Sequence, residues 1–180
     1  MNKIVAIVGM CGSGKSVASE YLENKLNYQK VYFGGVTMRK LKEAGLEVTP
    51  ENEKMMRNKL RRELGMGAFA KVLLPEIKEL AGKGNVVLDG LYSWSEYEIL
   101  SEEIPELKLI AIVADKSLRY ERLTKRDIRA LTNEEAKGRD LSEINDIEKA
   151  QPIAYADYYV LNNGTIDEYI ERLEEIIEVI

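Results

Sequence analysis

Gly9-Met10-Cys11-Gly12-Ser13-Gly14-Lys15-Ser16 directly follows the apolar run Ile4-Val5-Ala6-Ile7-Val8. The spacing fits G-x-x-x-x-G-K-[ST], a phosphate-binding loop. In such a loop successive backbone N–H groups cradle phosphates, the lysine reaches the outer ones and the hydroxyl ligates Mg²⁺. Glycine serves there because the chain must visit positive φ and no Cβ can stand between backbone and ligand. A helix opening at Lys15 adds its free N–H groups and its positive dipole end. Gly9, Gly12, Ser13, Gly14, Lys15 and Ser16 are therefore the expected triphosphate ligands, with ATP and Mg²⁺ as expected cofactors. The plain alternative is a glycine turn with Lys15 solvated.

Other residues fall where they could serve a bound triphosphate. Asp89 ends the apolar run Val86-Val87-Leu88, a position from which a carboxylate can hold Mg²⁺ beside the phosphates; a strand-end turn or helix cap is the alternative. Arg122 and Arg126 stand four apart, and Arg119 three before Arg122, so all are expected on one helical face. Phosphoryl transfer needs cations over the charge that spreads on the transferred group, whereas an idle arginine pair would be a solvated surface. Arg129 and Arg139 are further lid candidates.

Composition narrows the chemistry. The chain has 180 residues, 45% of them apolar and 32% charged, with a formal net charge of −5 and no histidine. The commonest general base and metal ligand are thereby absent. An acidic balance argues against general nucleic-acid binding, and no apolar run approaches membrane-spanning length. A cytoplasmic protein, monomer or homodimer, is expected. The single Cys11 allows no internal disulfide; it reads as a filler, with a lesser chance of a reactive thiol beside the helix start.

These residues need elements to position them. Strands are expected at Ile4–Val8, Lys30–Phe33, Asn85–Leu88, Leu107–Ala114 and Tyr158–Leu161, with helices between. The helix after the loop carries Val17, Ala18, Tyr21, Leu22 and Leu26 at helical spacing. Thr49-Pro50 opens a helix, and Gly65 and Gly67 separate two helices of the insertion. Capping boxes are read at Ser95–Glu98, Thr132–Glu135 and Thr165–Glu168. Trp94 and Ile99 flank the first as a staple, which makes Trp94 a packing anchor. The last helix should bury Ile166, Tyr169, Ile170, Leu173, Ile176 and Ile177. Short apolar strands alternating with helices imply an α/β fold, a five-stranded parallel sheet with helices on both faces. One domain over 1–180 is expected, with a helical insertion at about 36–82 and a lid at about 124–150. Ligands in such sheets sit at the strands' carboxyl ends.

With these residues in place, the chain resembles the nucleoside monophosphate kinase group of small P-loop kinases, in a branch near dephospho-CoA kinase and archaeal adenylate-kinase-related proteins. Gly35-Val36-Thr37-Met38-Arg39 looks like the G-x-x-x-R turn of adenylate kinases and implies that Gly35 and Arg39 bind the acceptor. Arg122-Leu123-Thr124-Lys125-Arg126 is similar to the R-x-x-x-R at the lid entrance. Ala156-Asp157-Tyr158-Tyr159-Val160-Leu161-Asn162-Asn163-Gly164-Thr165 is similar to the A-D-x-x-[IV]-x-N-x-G-[ST] ending of dephospho-CoA kinases. The resemblance implies a three-layer P-loop kinase fold in which Lys15, Asp89, Arg122 and Arg126 carry catalysis.

Two departures bear on the acceptor. Dephospho-CoA kinases have an aspartate after the second strand to activate a hydroxyl; here that region is Phe33-Gly34-Gly35-Val36. A phosphate acceptor is already an anionic nucleophile and needs no such base. Adenylate kinases follow Asp-Gly with an arginine, and here Asp89-Gly90 leads into Leu91-Tyr92; Arg57, Arg61 or Arg62 would have to substitute. The expected activity is transfer of the γ-phosphoryl of ATP to a nucleoside monophosphate or similar nucleotide. A hydroxyl acceptor, or a P-loop ATPase or regulatory nucleotide-binding protein with no dedicated acceptor, are the alternatives. A GTPase is disfavoured, since Asn24-Lys25-Leu26-Asn27 and Asn58-Lys59-Leu60-Arg61 both miss the aspartate of N-K-x-D.

Overall fold

β1 (Ile4–Val8) is buried along its whole length, and its alternation divides the core. Ile4, Ala6 and Val8 enter one apolar cluster, while Val5 and Ile7 enter a second on the opposite face, as the two-residue period of a strand requires. The computed structural model describes residues 2–180. Around β1 stand β2 (Gln29–Tyr32), β3 (Val86–Asp89), β4 (Lys108–Val113) and β5 (Tyr158–Leu161), in the order β2-β3-β1-β4-β5 with every pairing parallel. The expected five-stranded parallel sheet is present, and the phosphate loop leaves its central strand.

The second cluster packs α1 (Lys15–Leu26) and α9 (Ile166–Val179) on one face through Ala18, Leu22, Tyr169 and Leu173. The first packs α2 (Gly34–Glu43), α3 (Pro50–Leu64), α4 (Ala68–Ala81) and α5 (Trp94–Glu103) on the other. Then α6 (Lys116–Thr124), α7 (Asn133–Asn145) and α8 (Ala150–Ala154) follow β4; α6 and α7 join the loop in a small third cluster around Cys11, Leu123 and Ala136, while α8 sets Ile153 against the first. Among the described residues no helix is long and apolar enough to cross a membrane.

Several local expectations hold. Thr49 accepts from Asn52 N with Pro50 at the first helical position, and Thr132 and Thr165 form reciprocal boxes with Glu135 and Glu168. The first box is displaced: Ser93, not Ser95, caps α5, and Glu96 rather than Glu98 reaches back to it. Both serines satisfy S-x-x-E, and the buried pair is the one the fold uses. Trp94 packs against Tyr97 and Tyr155 with centroids 5.1 and 5.4 Å away, joining α5 to the end of α8. Asp115 stands at the N-cap of α6, yet its side chain accepts no capping bond.

Glu96 is 1% exposed, and its carboxylate accepts from the N–H groups of Tyr92 and Ser93. Burial raises its pKa from the usual 4.5 to about 7, with these bonds and Arg61 opposing the rise. Because the folded value lies above the unfolded one, the folded protein holds this proton over pH 4.5 to 7 while the unfolded chain has lost it. Stability from Glu96 is full below that window and is lost as the pH climbs to 7. Glu96→Gln keeps an acceptor for both N–H groups without the charge. In urea titrations the variant should match the wild type near pH 5 and exceed it at pH 8 by up to about 3 kcal/mol. A variant less stable than wild type at both pH values would refute this account.

Candidate functional site

The loop residues adopt the backbone their types suggest. Gly9, Gly12 and Gly14 have φ of 148°, 83° and 103°. A Cβ on Gly9 would strike Ile112 O and come within 2.7 Å of Ser13 Oγ, and one on Gly14 would strike Asn162 Nδ2. Asn162, just beyond β5, donates to Ser13 O at 2.8 Å, and Tyr169 donates from its hydroxyl to Gly14 O at 3.0 Å. The C-terminal motif is thus a brace for the loop. Its Asp157 accepts from Leu109 N at 2.8 Å and ties β4 to the start of β5.

Lys15 Nζ donates to Met10 O at 3.0 Å and so lies folded along the loop. Burial, then the neighbouring Lys149, pull its ammonium down to about 7. Asp89 at the end of β3 accepts from Ser19 Oγ at 3.0 Å; the same hydroxyl lies 3.1 Å from Ser16 O. The carboxylate is therefore tied to the first turn of α1, where Ser16 is exposed. A hydroxyl and a carboxylate at one corner of a phosphate loop suit Mg²⁺, which keeps waters and phosphate oxygens for its remaining positions. Ser13 Oγ and Arg122 Nη1 are buried without a hydrogen-bond partner, which fits a polyphosphate that is polar and rich in acceptors.

Two hollows flank the loop. The smaller, about 200 Å³, is lined by Gly14, Val17, Arg122, Asn162, Gly164 and Ile166. It explains two departures from the helical stripes read in the sequence: Val17 and Ile166 are 39% and 55% exposed because both face this hollow and not the core. Arg122 reaches across it to Asn162 O at 3.0 Å. The larger, about 500 Å³, lies between α2, α3 and α7 and is lined by Arg57, Arg61, Arg129 and Arg139 together with Phe69 and Tyr92. Thr37 Oγ1 and Arg61 Nε, both lining it, are buried and unpartnered.

The arginines do not all fall where their spacing placed them. Arg126 is exposed and lies past the end of α6, which stops at Thr124, so it does not share a helical face with Arg122. Arg39 pairs with Glu76 of α4 at 3.1 Å on the outer surface, away from the cavity. Gly34, and not Gly35, lines the cavity, because α2 begins at Gly34 and turns Gly35 aside. Arg129 reaches Glu53 of α3 at 3.3 Å and joins the loop before α7 to α3. Arg119 is buried: it makes a paired bond to Asp140 of α7 at 2.9 and 2.6 Å and donates to Cys11 O at 2.9 Å.

Glu143 and Lys149 escape a reading of the sequence altogether. Glu143 of α7 accepts from Cys11 N at 3.2 Å, from Lys149 Nζ at 2.7 Å and from Arg139 Nε at 3.2 Å. Lys149 N bonds to Glu143 O at 3.0 Å past Glu148, whose φ is 56°, so a tight bend folds the lysine under the carboxylate. Its Nζ lies 4.5 Å from the centre of the Tyr92 ring. Burial alone would raise the Glu143 carboxyl, but Lys149, Arg139 and Lys15 hold it below the usual range. The one sequence signal for this network is negative: α7 has almost no apolar stripe, so the face it turns inward has to be polar.

A parallel five-stranded sheet around a braced phosphate loop defines a P-loop kinase-like, nucleotide-binding protein. Solved structures bear out that class by fold. A shikimate kinase from Bacteroides thetaiotaomicron superposes with a TM-score of 0.61 at 15% identity, covering 99% of this chain and 98% of that one. A gluconokinase from Sinorhizobium meliloti gives 0.58 at 16% identity, covering 99% and 95%. The family model described as AAA domain matches residues 5–151. The UPF0200 protein of Methanocaldococcus jannaschii is 36% identical over 180 residues, 98% of this chain and 90% of that one. That of Aeropyrum pernix is 34% identical over 166 residues, 92% and 87%. The chain belongs to the UPF0200 family of P-loop proteins.

Proposed function

We propose that this protein transfers the γ-phosphoryl group of ATP to a small anionic acceptor, a nucleoside monophosphate or similar nucleotide. The observation that carries the reading is the placement of the two hollows, one against the downstream end of the phosphate loop and the other reaching Cys11 through Glu143. Gly14 and Val17 border the smaller, and Glu143, which holds Cys11 N, borders the larger. A triphosphate laid along the loop from the first to the second points its outer phosphate at the second.

In this reading the base of the donor sits against Val17 and Ile166, and Arg122 turns its unpartnered Nη1 to the phosphates. The loop N–H groups and Lys15 hold the outer phosphates and stabilise charge as it develops. Mg²⁺, held by Ser16 and Asp89, would neutralise the β- and γ-oxygens. The acceptor lies under the lid, its planar part near Phe69 and Tyr92 and its anion at Arg61. Arg61 takes the place of the arginine missing after Asp89-Gly90, because its Nε is buried without a partner whereas Arg57 is committed to Glu53 at 3.2 Å. Closing the lid expels water, the competing nucleophile.

Purified protein with Mg-ATP, set against nucleoside monophosphates, nucleosides and dephospho-CoA with a no-acceptor control, tests the proposal. Faster ADP release with one monophosphate supports it; equal release in every well returns the protein to the hydrolase or regulatory class. With the acceptor in hand, Arg61→Ala should raise its KM by about 10- to 100-fold, the worth of a charged hydrogen bond, with a smaller change in kcat. An unchanged KM would remove Arg61 as the anchor.

A further inference from the structure

The Glu143 carboxylate sits where a phosphate would be expected. Its partners are a backbone N–H of the phosphate loop, a buried lysine and an arginine, at 3.2, 2.7 and 3.2 Å. Loop amide plus converging cations is the donor set that recognises phosphoryl oxygens. Cys11 lies at the upstream end of the loop, away from the hollow bordered by Gly14 and Val17, and the side chain that covers its N–H also lines the acceptor cavity. That amide therefore faces the gap that the transferred group must cross. Lys149 has Glu143 as its salt-bridge partner and is 2% exposed, so its charge needs an anion at this point whether or not nucleotide is bound.

We infer that Glu143 is an exchangeable stand-in for the terminal phosphate of a nucleoside triphosphate, occupying the Cys11 N–H, Arg139 and Lys149 until a triphosphate displaces it. The inference rests on the donor-site reading above and adds a property to it. A diphosphate stops short of these donors and leaves Glu143 in place, whereas a triphosphate has to exchange with it. The carboxylate thus lowers triphosphate affinity selectively, and its return to Cys11 after transfer leaves the diphosphate product with no hold on the lid. Between ligands it also keeps the two lid cations paired, so α7 stays docked on an empty loop.

The test measures binding of a non-hydrolysable triphosphate analogue and of ADP, each with Mg²⁺, by calorimetry on wild type and on Glu143→Gln. The neutral amide competes poorly for Lys149 and Arg139. Affinity for the triphosphate should rise about tenfold, the value of one charge-assisted hydrogen bond, and that for ADP should change by less than about twofold. Equal shifts for both nucleotides, no shift, or weaker triphosphate binding would overturn the inference. So would unaltered binding with lost turnover, which would make Glu143 a base for a hydroxyl acceptor. Wild type that binds neither nucleotide would instead sink the donor-site reading itself. Should Glu143→Gln not fold, Glu143→Asp keeps a charge for Lys149 but is one methylene short of Cys11 N, and the same selective gain is expected.

Discussion

Replacing Lys15 by alanine will lower phosphoryl transfer by about a thousandfold or more while leaving the empty protein at least as stable as before. The first half follows from the proposed reaction, in which a fixed cation at the outer phosphates counters charge on the transferred group. The second half follows from the site. Lys15 Nζ has a single carbonyl, Met10 O, as its partner, and burial and Lys149 push its ammonium down to about 7. The fold therefore holds this charge against a desolvation cost that alanine removes. Initial rates and urea midpoints on the same preparation decide the matter. Near-normal turnover would end the assignment of Lys15; a large loss of stability would mean that the loop leans on the lysine in ways its contacts do not reveal.

Asp140→Ala should cost about 3–5 kcal/mol in the absence of any ligand, because it strands a buried guanidinium. Arg119 and Asp140 are each about 7% exposed, and their two bonds of 2.9 and 2.6 Å join α6 to α7. The hydroxyl of Tyr120 adds a third contact to Asp140 at 3.2 Å. Arg119 also carries Cys11 O, so freeing it loosens the loop and releases α7 in the same step. A loss under about 1 kcal/mol in urea unfolding would place the pair with exposed ion pairs such as Lys125–Glu121, which contribute little.

Much of this arrangement is legible in the chain. The strands could be read because a sheet covered on both faces needs continuous apolar runs, and the loop because glycine, lysine and serine are the residue types its backbone and ligand demand. Thr132 and Thr165 announce their helices through the three-residue spacing of a reciprocal cap. Spacing fails where a side chain has a choice of partners. Arg39 lies at the expected offset from Gly35, yet Glu76 on another helix holds it outside. Arg122 and Arg126 keep their four-residue interval, but the helix ends between them. Glu143 looks like one of many acidic residues in a polar stretch, and only folding across a separation of 132 positions sets it on Cys11 N. A polar residue takes its role from what it meets, and sequence spacing fixes that only within a turn or two of helix.

The division of the core by β1 has a consequence for how such a protein can diversify. The larger cavity is framed by Phe33 and Phe69, which belong to one apolar cluster, while the hollow at Val17 and Ile166 opens on the helices of the other. The two clusters have no residue in common and meet only through the pleat of the sheet. If the larger cavity takes the acceptor and the smaller the donor, as proposed, a lineage can remodel what is phosphorylated without disturbing what donates the phosphate, and the reverse. On that reading the two specificities would be separate traits on opposite faces of one strand, with the loop at its end common to both.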